Sequence, residues 1–242
     1  KNGTIITACD EFKGDILIKG DKIEKVGAAL TDQADQVIDA TGKYIFPGGV
    51  DQHTHFNFTF GKSTCVGWES SDAGVVTGTT TVIDFANQVV GWSVKDSVDK
   101  YQEEKVADLA CCDYSFHSVV FDPNEALFKE IEKFPEYGMP TCKLFMAYKG
   151  FPYHCDDEAI LKALQASVDV GVTIMVHAEN ADMIDVLQKQ TVAKGITDPI
   201  GHAISRPPIV EAEAVSRAAY LANLAGAPVY VVHVTSKEAM SV

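Results

Sequence analysis

The sequence predicts an α/β protein whose larger part forms most of an eight-stranded (β/α) barrel. Short apolar runs alternate with helical stretches after residue 47, whereas the chain before it shows strand patterns without a helical period. Several of the apolar runs also end in a histidine. Barrels of this kind carry their active sites at the carboxyl ends of the strands. The histidines therefore indicate where the chemistry takes place.

Residues 1–47 are predicted to form a small β unit, the N-terminal domain of the chain. Its strand-like runs are separated by turns rich in Gly, Asp and Lys, and none has the spacing of an amphipathic helix. The predicted strands are 3–7, 15–19, 22–26 and 36–40.

Residues 48–242 are predicted to form the barrel domain. One strand holds His53, and the others are 79–85, 114–120, 142–148, 172–178 and 229–234. A helix is expected over 156–170, because Asp156 suits a cap and Gly171 a stop. These are six of eight βα units, and a closed barrel alone takes about 250 residues. We therefore expect a barrel incomplete at its C-terminus, in a chain that is the front portion of a longer polypeptide.

Composition bounds the class of protein. The 242 residues are 46% hydrophobic and 22% charged, enough to bury a large core. The net charge of −14 argues against a nucleic acid as the main partner, because such binding depends on lysine and arginine. No apolar run has the length of a membrane span, and the six cysteines lack a Cys-x-x-Cys pair. A soluble cytoplasmic protein with reduced thiols is expected.

The histidines are candidate metal ligands. His53 and His55 are two residues apart on a predicted strand, so both imidazoles leave the same face. His177 and His233 each end a β-branched run that is typical of a buried parallel strand. Alone, the His53–His55 pair is as compatible with core or surface histidines as with metal ligands, and a lone histidine at the end of a buried run is usually a core residue. A common place at strand ends favours metal binding, because histidines that only fill space need no common position.

Lys143 is the next candidate. It lies in an apolar strand, where burying an ammonium group is costly, and desolvation favours the neutral amine. A neutral amine can react with carbon dioxide to give a carbamate, an anion able to bridge two cations. The alternative is a lysine whose head group reaches solvent past the strand end. Spacing alone favours that alternative, whereas the histidines favour the carbamate.

Five segments, in this order and spacing, resemble the cyclic amidohydrolases, most closely the dihydropyrimidinase and hydantoinase family. They are His53-Thr-His55, 143–149, 177–180, Ser205-Arg-Pro-Pro with Glu211-Ala-Glu, and 232–236. The resemblance implies a barrel with a β-sandwich built from both chain ends, to which residues 1–47 belong. It also implies a binuclear metal site, usually holding zinc, and a homotetramer.

The resemblance implies a role for each matching residue. His53 and His55 would bind the more buried metal ion, His177 and His233 the more exposed one, and a carbamate on Lys143 would bridge them. Tyr148 would donate a hydrogen bond to the oxyanion. The family's remaining ligand, an aspartate on the eighth strand, has no counterpart here. We interpret Asp84 as a structural or supporting carboxylate, not as a substitute.

The predicted reaction is hydrolysis of the cyclic amide C–N bond of a dihydropyrimidine or hydantoin to an N-carbamoyl amino acid. Two cations about 3.5 to 4 Å apart can hold a bridging hydroxide and polarise the carbonyl. Asn57 stands where dihydroorotases resemble one another in an arginine, which favours a neutral cyclic ureide or imide. Aromatic residues in 56–60 and 149–153 are expected to contact its substituent. The alternatives are an allantoinase-like enzyme and a non-catalytic scaffold protein related to dihydropyrimidinase.

Overall fold

The computed structural model describes residues 1–60 and 62–242. The N-terminal part is a four-stranded sheet of β1 Gly3–Ile6, β2 Glu11–Lys19, β3 Lys22–Gly27 and β4 Tyr44–Ile45. The strand order is β3-β2-β1-β4, and only the β1–β4 pair is parallel. Three of the four predicted strands in this region are confirmed.

The predicted strand over 36–40 is wrong. The sheet is completed there by β4, and the segment before it is irregular. The side chain of Asp39 accepts hydrogen bonds from both the backbone N–H and the hydroxyl of Thr41 and from the amide of Asn2. Such local bonds offer the backbone an alternative to a strand ladder. They explain why the apolar pair Val37 and Ile38 does not form a strand.

A parallel sheet of six strands forms the larger part of the protein. The strands of this sheet are β5 Gly49–Thr54, β8 Thr79–Asn87, β9 Asp113–Val119, β10 Thr141–Phe145, β11 Thr173–His177 and β12 Val229–Val231. Their order in the sheet is their order in the chain. A short hairpin of β6 Thr59–Phe60 and β7 Ser63–Thr64 follows β5 and lies outside the sheet. All six predicted strands are confirmed, with β10 and β12 ending three residues earlier than expected.

The sheet is curled. In a flat sheet β5 and β12 would be five strand spacings, or about 24 Å, apart. Instead Nε2 of Gln52 on β5 lies 3.4 Å from the hydroxyl of Tyr230 on β12. The inner face of the curl therefore brings side chains of its first and last strands into contact.

Helices cover the outer face of the sheet. They are α1 Ser71–Thr77, α2 Val94–Tyr101, α3 Glu125–Ile131, α4 Asp157–Ser167, α5 Ala181–Ala193, α6 Ile200–Ile204 and α7 Pro208–Ala225, with short helical turns at Trp68–Ser70, Gln102–Val106, Phe134–Tyr137 and Ala239–Ser241. The helix predicted over 156–170 is α4, which Asp156 caps by accepting from the backbone N–H of Ala159. It ends at Ser167, before Gly171 turns the chain with a φ of +76°.

Two apolar clusters follow from the alternation of side chains along the strands. The outer cluster lies between sheet and helices and includes Leu144, Ile174 and Leu164, which are all fully buried. Burying one such side chain contributes roughly 1.5–3 kcal/mol. The inner cluster, with Phe85, Met175 and Phe145, lies inside the curl. Within the described part of the chain, no helix has the length and apolar character that crossing a membrane requires.

Candidate active site

The candidate site lies on the inner face of the curled sheet, at the carboxyl ends of its strands. His53 is on β5 and Lys143 on β10, His177 ends β11, and His233 follows β12 by two residues. The ring centroids of His53 and His55 lie 5.2 Å apart, and those of His177 and His233 lie 4.6 Å apart. The ring centroid of His53 also lies 5.4 Å from that of His233. The curl thus brings together four histidines that are up to 180 positions apart in the chain.

The ring of Phe85 packs against two of these histidines. Its ring lies 4.5 Å from that of His53 and 4.9 Å from that of His55, and the second pair is stacked. Nζ of Lys143 lies 5.3 Å from the centroids of both Phe85 and Phe145. Sequence reasoning missed the role of Phe85, because an apolar residue in a strand carries no sign of what it supports.

Lys143 is only 2% exposed. The alternative in which its head group reaches solvent past the strand end is therefore wrong. Desolvation alone lowers the pKa of its ammonium group from 10.5 to about 7. The lowered pKa favours the neutral amine, which is the form that reacts with carbon dioxide.

The imidazole of His53 is also held in the form that binds cations. Partial burial, then the positive charge of Lys143 and the other imidazoles, lowers the pKa of His53 to about 4. Neutral imidazole is the metal-binding form. Among the residues that the structure describes, no three His, Cys, Asp or Glu side chains converge as one set of ligands. The four rings form a row, His55–His53–His233–His177, in which neighbouring centroids are 5.2, 5.4 and 4.6 Å apart. Imidazole nitrogen is a ligand that suits zinc.

Glu179 supports His177. Oε2 of Glu179 lies 2.7 Å from Nε2 of His177, which leaves Nδ1 of the ring free for a ligand. Nε of Arg206 lies 3.5 Å from the other carboxylate oxygen. A carboxylate on the far nitrogen of a metal-binding histidine fixes the ring and its tautomer. The side chain of the neighbouring Asn180 caps α5 by accepting from the backbone N–H of Met183.

Tyr148 lies beside the second histidine pair. Its ring centroid is 5.3 Å from that of His177, and its backbone is held at a φ of +66°. Burial, and then the charge of Glu179, raises the pKa of the phenol above its ordinary value of 10. The hydroxyl therefore keeps its proton at neutral pH and can donate a hydrogen bond.

An aromatic cluster adjoins Tyr148. The ring of Tyr153 lies 5.6 Å from that of Tyr148, 5.4 Å from Phe151 and 4.9 Å from Phe121. The residues expected to contact a ring substituent thus include a group close to the histidines. The side chain of Phe60, which belongs to the same prediction, lies outside the described residues.

A cavity of about 600 Å³ opens beside His177 and His233, and Arg206 and Glu211 also line it. Glu211, on α7, accepts hydrogen bonds from the backbone N–H groups of Thr235 and Ser236, at 2.8 Å each. It thereby holds the loop that follows His233. Both charged residues stand in segments that carry the resemblance, but spacing gives no sign of their contacts.

The remaining histidine of the inner face has a structural role. Nε2 of His117 lies 2.9 Å from the carbonyl oxygen of Gln52, and Nδ1 lies 2.7 Å from the hydroxyl of Thr141. Both ring nitrogens are therefore engaged.

Comparison with known proteins shows what the chain is similar to. No family model matches it. It is 43% identical over 245 residues to the D-hydantoinase of Ralstonia pickettii, an alignment that covers 99% of this chain and 52% of the relative. It is 37% identical over 249 residues to the dihydropyrimidinase of Arabidopsis thaliana, with 99% and 45% covered.

The fold agrees with these sequence relatives. The crystal structure of dihydropyrimidinase from Brevibacillus agri matches with a TM-score of 0.94 at 40% identity, over 100% of this chain and 52% of that one. The chain spans about half the length of the relatives it matches. Near-complete coverage of this chain at such identities, together with the same fold, shows that it belongs to the hydantoinase and dihydropyrimidinase family of cyclic amidohydrolases.

Proposed function

We propose that the protein hydrolyses the cyclic amide C–N bond of hydantoins or 5,6-dihydropyrimidines and releases N-carbamoyl amino acids. The observation that carries the proposal is the convergence of four imidazoles and one buried lysine at the carboxyl ends of four strands. The relatives named D-hydantoinase and dihydropyrimidinase indicate the class of substrate. In the reaction, water oxygen bonds to the ring carbonyl carbon, the C–N bond breaks, and the departing nitrogen takes a proton.

The proposed ligands are His53 and His55 for one divalent ion, His177 and His233 for a second, and Lys143 between them. Two such ions, most simply zinc, would supply a water-derived nucleophile at neutral pH and would polarise the substrate carbonyl. The amine of Lys143 adds to carbon dioxide, forming an N–C bond and releasing one proton to solvent. The anion that results removes the cost of a buried ammonium group and provides two oxygen donors.

The other residues of the site bind and orient. Tyr148 keeps its proton and donates to the oxygen that becomes negative as the carbonyl is attacked. Glu179 holds the ring of His177, and Arg206 lies beside that carboxylate. The aromatic cluster of Phe121, Phe151 and Tyr153 is proposed to contact the ring substituent.

The larger assembly is part of the same proposal. The curl of the six strands supports their place in a (β/α)8 barrel. The N-terminal sheet is proposed to belong to a β-sandwich. The division at residue 47, the homotetramer and the cytoplasmic location stay predictions.

The proposal is tested by supplying the purified full-length polypeptide with zinc and bicarbonate and measuring N-carbamoyl product from hydantoin, dihydrouracil and allantoin. We expect turnover of one of the first two. Lys143→Met keeps an apolar side chain of similar length, and it should lower kcat/KM by about a thousandfold or more, or about 4 kcal/mol. Lys162→Met is the matched control, because Lys162 is an exposed lysine of α4 paired with Glu125.

Three outcomes would contradict parts of the proposal. Preferential turnover of allantoin would favour the allantoinase-like alternative. A zinc-loaded protein that opens none of the three rings would favour the scaffold alternative. Full activity of Lys143→Met would exclude the role given to the lysine.

A further inference from the structure

Asp84 is a fully buried carboxylate that the proposed reaction does not use. It lies on β8 in register with Thr54 of β5 and is 0% exposed. The hydroxyl of Thr54 donates to its Oδ1 at 3.1 Å, and the backbone N–H of Phe56 donates to the same oxygen at 3.0 Å. Thr54 and Phe56 are the two residues that flank His55. One carboxylate oxygen thus holds the chain on both sides of a proposed ligand.

The second oxygen of Asp84 is held from the helix layer. The hydroxyl of Tyr101 donates to Oδ2 at 2.7 Å and accepts from the indole N–H of Trp68 at 2.9 Å. The same hydroxyl lies 2.9 Å from the carbonyl oxygen of Phe56. Trp68 is itself fully buried. The carboxylate is therefore fixed to the outer core of the protein and not to a mobile surface group.

Asp84 and Phe85 lie on opposite faces of β8. Successive side chains of β8 point to opposite faces, so Asp84 faces the helices and Phe85 faces the inside of the curl. Phe85 stacks on the ring of His55 at 4.9 Å, with an angle of 20° between the planes. One residue thus fixes the backbone around His55 and the next supports its ring.

Burial of such a group is costly unless it is fully bonded. The contacts around Asp84 are all hydrogen-bond donors, and no lysine, arginine or histidine pairs with it among the described residues. An apolar residue would fill the same outer core without that cost. Unlike an apolar residue, the carboxylate accepts hydrogen bonds that hold the chain on both sides of His55.

We propose that Asp84, with Tyr101, is a positioning residue that sets the direction of the His55 imidazole for metal binding. The inference rests on the proposed function for the metal itself, and it adds a residue that touches neither ion nor substrate. Loss of a supporting hydrogen bond around a ligand typically weakens metal binding by 10- to 100-fold. The contacts surround His55 and adjoin His53, and both histidines are proposed to bind the same ion. The weakening should therefore fall on one of the two ions.

The test is a zinc titration of the metal-free protein against a chromophoric chelator, which resolves the number of ions and the affinity of each. Asp84→Asn keeps an acceptor for Thr54 and Phe56 but loses the charge, and we expect about a tenfold weaker affinity for one ion. Asp84→Leu removes every acceptor and should weaken that ion by about 100-fold. Tyr101→Phe removes only the hydroxyl and should have the smallest effect.

Asp15→Asn is the matched control. Asp15 is also a buried carboxylate that accepts two backbone N–H groups, from Asn2 and Leu30, but it lies in the N-terminal sheet. It should lower the melting temperature and leave both zinc affinities unchanged. If Asp84→Leu fails to fold, Asp84→Asn decides the question.

The outcomes separate the inference from the proposed function. A wild-type protein that takes up no zinc contradicts the proposed function and with it the role of Asp84. Two ions in the wild-type protein, with unchanged affinities in Asp84→Asn, contradict only the role of Asp84. Equal weakening of both ions also overturns it, because it indicates a general loosening of the fold.

Discussion

Lys143 and Tyr148 lie five residues apart, and burial acts on them in opposite chemical directions. Desolvation disfavours the charged form of either group. It therefore lowers the pKa of the Lys143 ammonium and raises the pKa of the Tyr148 phenol. The neutral amine of the lysine and the protonated phenol of the tyrosine are both favoured. One environment thus favours the two forms that the proposed function requires.

Replacement of Tyr148 by Phe removes this donor and leaves the ring beside His177. We expect kcat to fall by about 100-fold with little change in KM, because the hydrogen bond strengthens only as charge develops on the oxygen. Steady-state kinetics on the preferred ring substrate measures both constants. Tyr137→Phe, at a tyrosine outside the site, is the control. A rise in KM at constant kcat would show instead that the Tyr148 hydroxyl binds the substrate and the transition state equally strongly.

At the scale of elements, the N-terminal sheet depends on a single buried carboxylate. Asp15 on β2 accepts from the backbone N–H of Asn2 beside β1 at 2.8 Å and from that of Leu30 beyond β3 at 3.0 Å. These two bonds are the main reason that its pKa lies below the ordinary value of 3.8. One side chain therefore links three parts of the sheet.

The lowered pKa predicts how this sheet responds to acid. The unfolded chain binds a proton at Asp15 more readily than the folded chain does. The contribution of Asp15 is therefore fully present above about pH 4 and is lost as the pH falls through the lower, folded value. Hydrogen exchange of the β1 and β2 amides between pH 2 and 6 should show this loss. Asp15→Asn should remove this part of the pH dependence, and Asp35→Asn, at an exposed carboxylate, should retain it.

At the scale of the whole molecule, the candidate site joins the two edges of the six-stranded sheet. His53 lies on one edge strand, β5, and His233 follows the other edge strand, β12. A ligand held by residues of both edges would stabilise the curl itself. Metal binding should therefore be coupled to the stability of the whole sheet.

This coupling predicts a melting temperature that rises with zinc and falls after chelation. Free zinc at 100 times its Kd should add about 2.7 kcal/mol to the free energy of unfolding. Differential scanning calorimetry of metal-free and zinc-loaded protein measures the shift. Lys143→Met should lose most of this response, although its metal-free form should be at least as stable as the wild type because no amine is buried. A full zinc response in that variant would show that the ions are held without the lysine.

Much of the fold is readable from the sequence because its signals are local. Alternating apolar runs and helical stretches locate all six strands of the parallel sheet, and Asp156 locates the start of α4. Local signals also mislead, as at 36–40, where side-chain bonds around Asp39 replace a predicted strand. The ends of β10 and β12 differ because strand ends depend on pairing with neighbours, which a single run does not encode.

The candidate site likewise combines features that the sequence predicts with features that only the structure shows. Residue type and position at strand ends are properties of the chain, so the sequence alone is enough to select His53, His55, Lys143, His177 and His233 as candidates. Burial of Lys143 and the supporting contacts of Asp84, Glu211 and Arg206 depend on partners distant in the chain. Those contacts come from neighbouring strands, helices and loops, which a single segment does not encode. The curl of the sheet decides that His53 and His233 converge, because it brings β5 and β12 together across a distance that a flat sheet would not close.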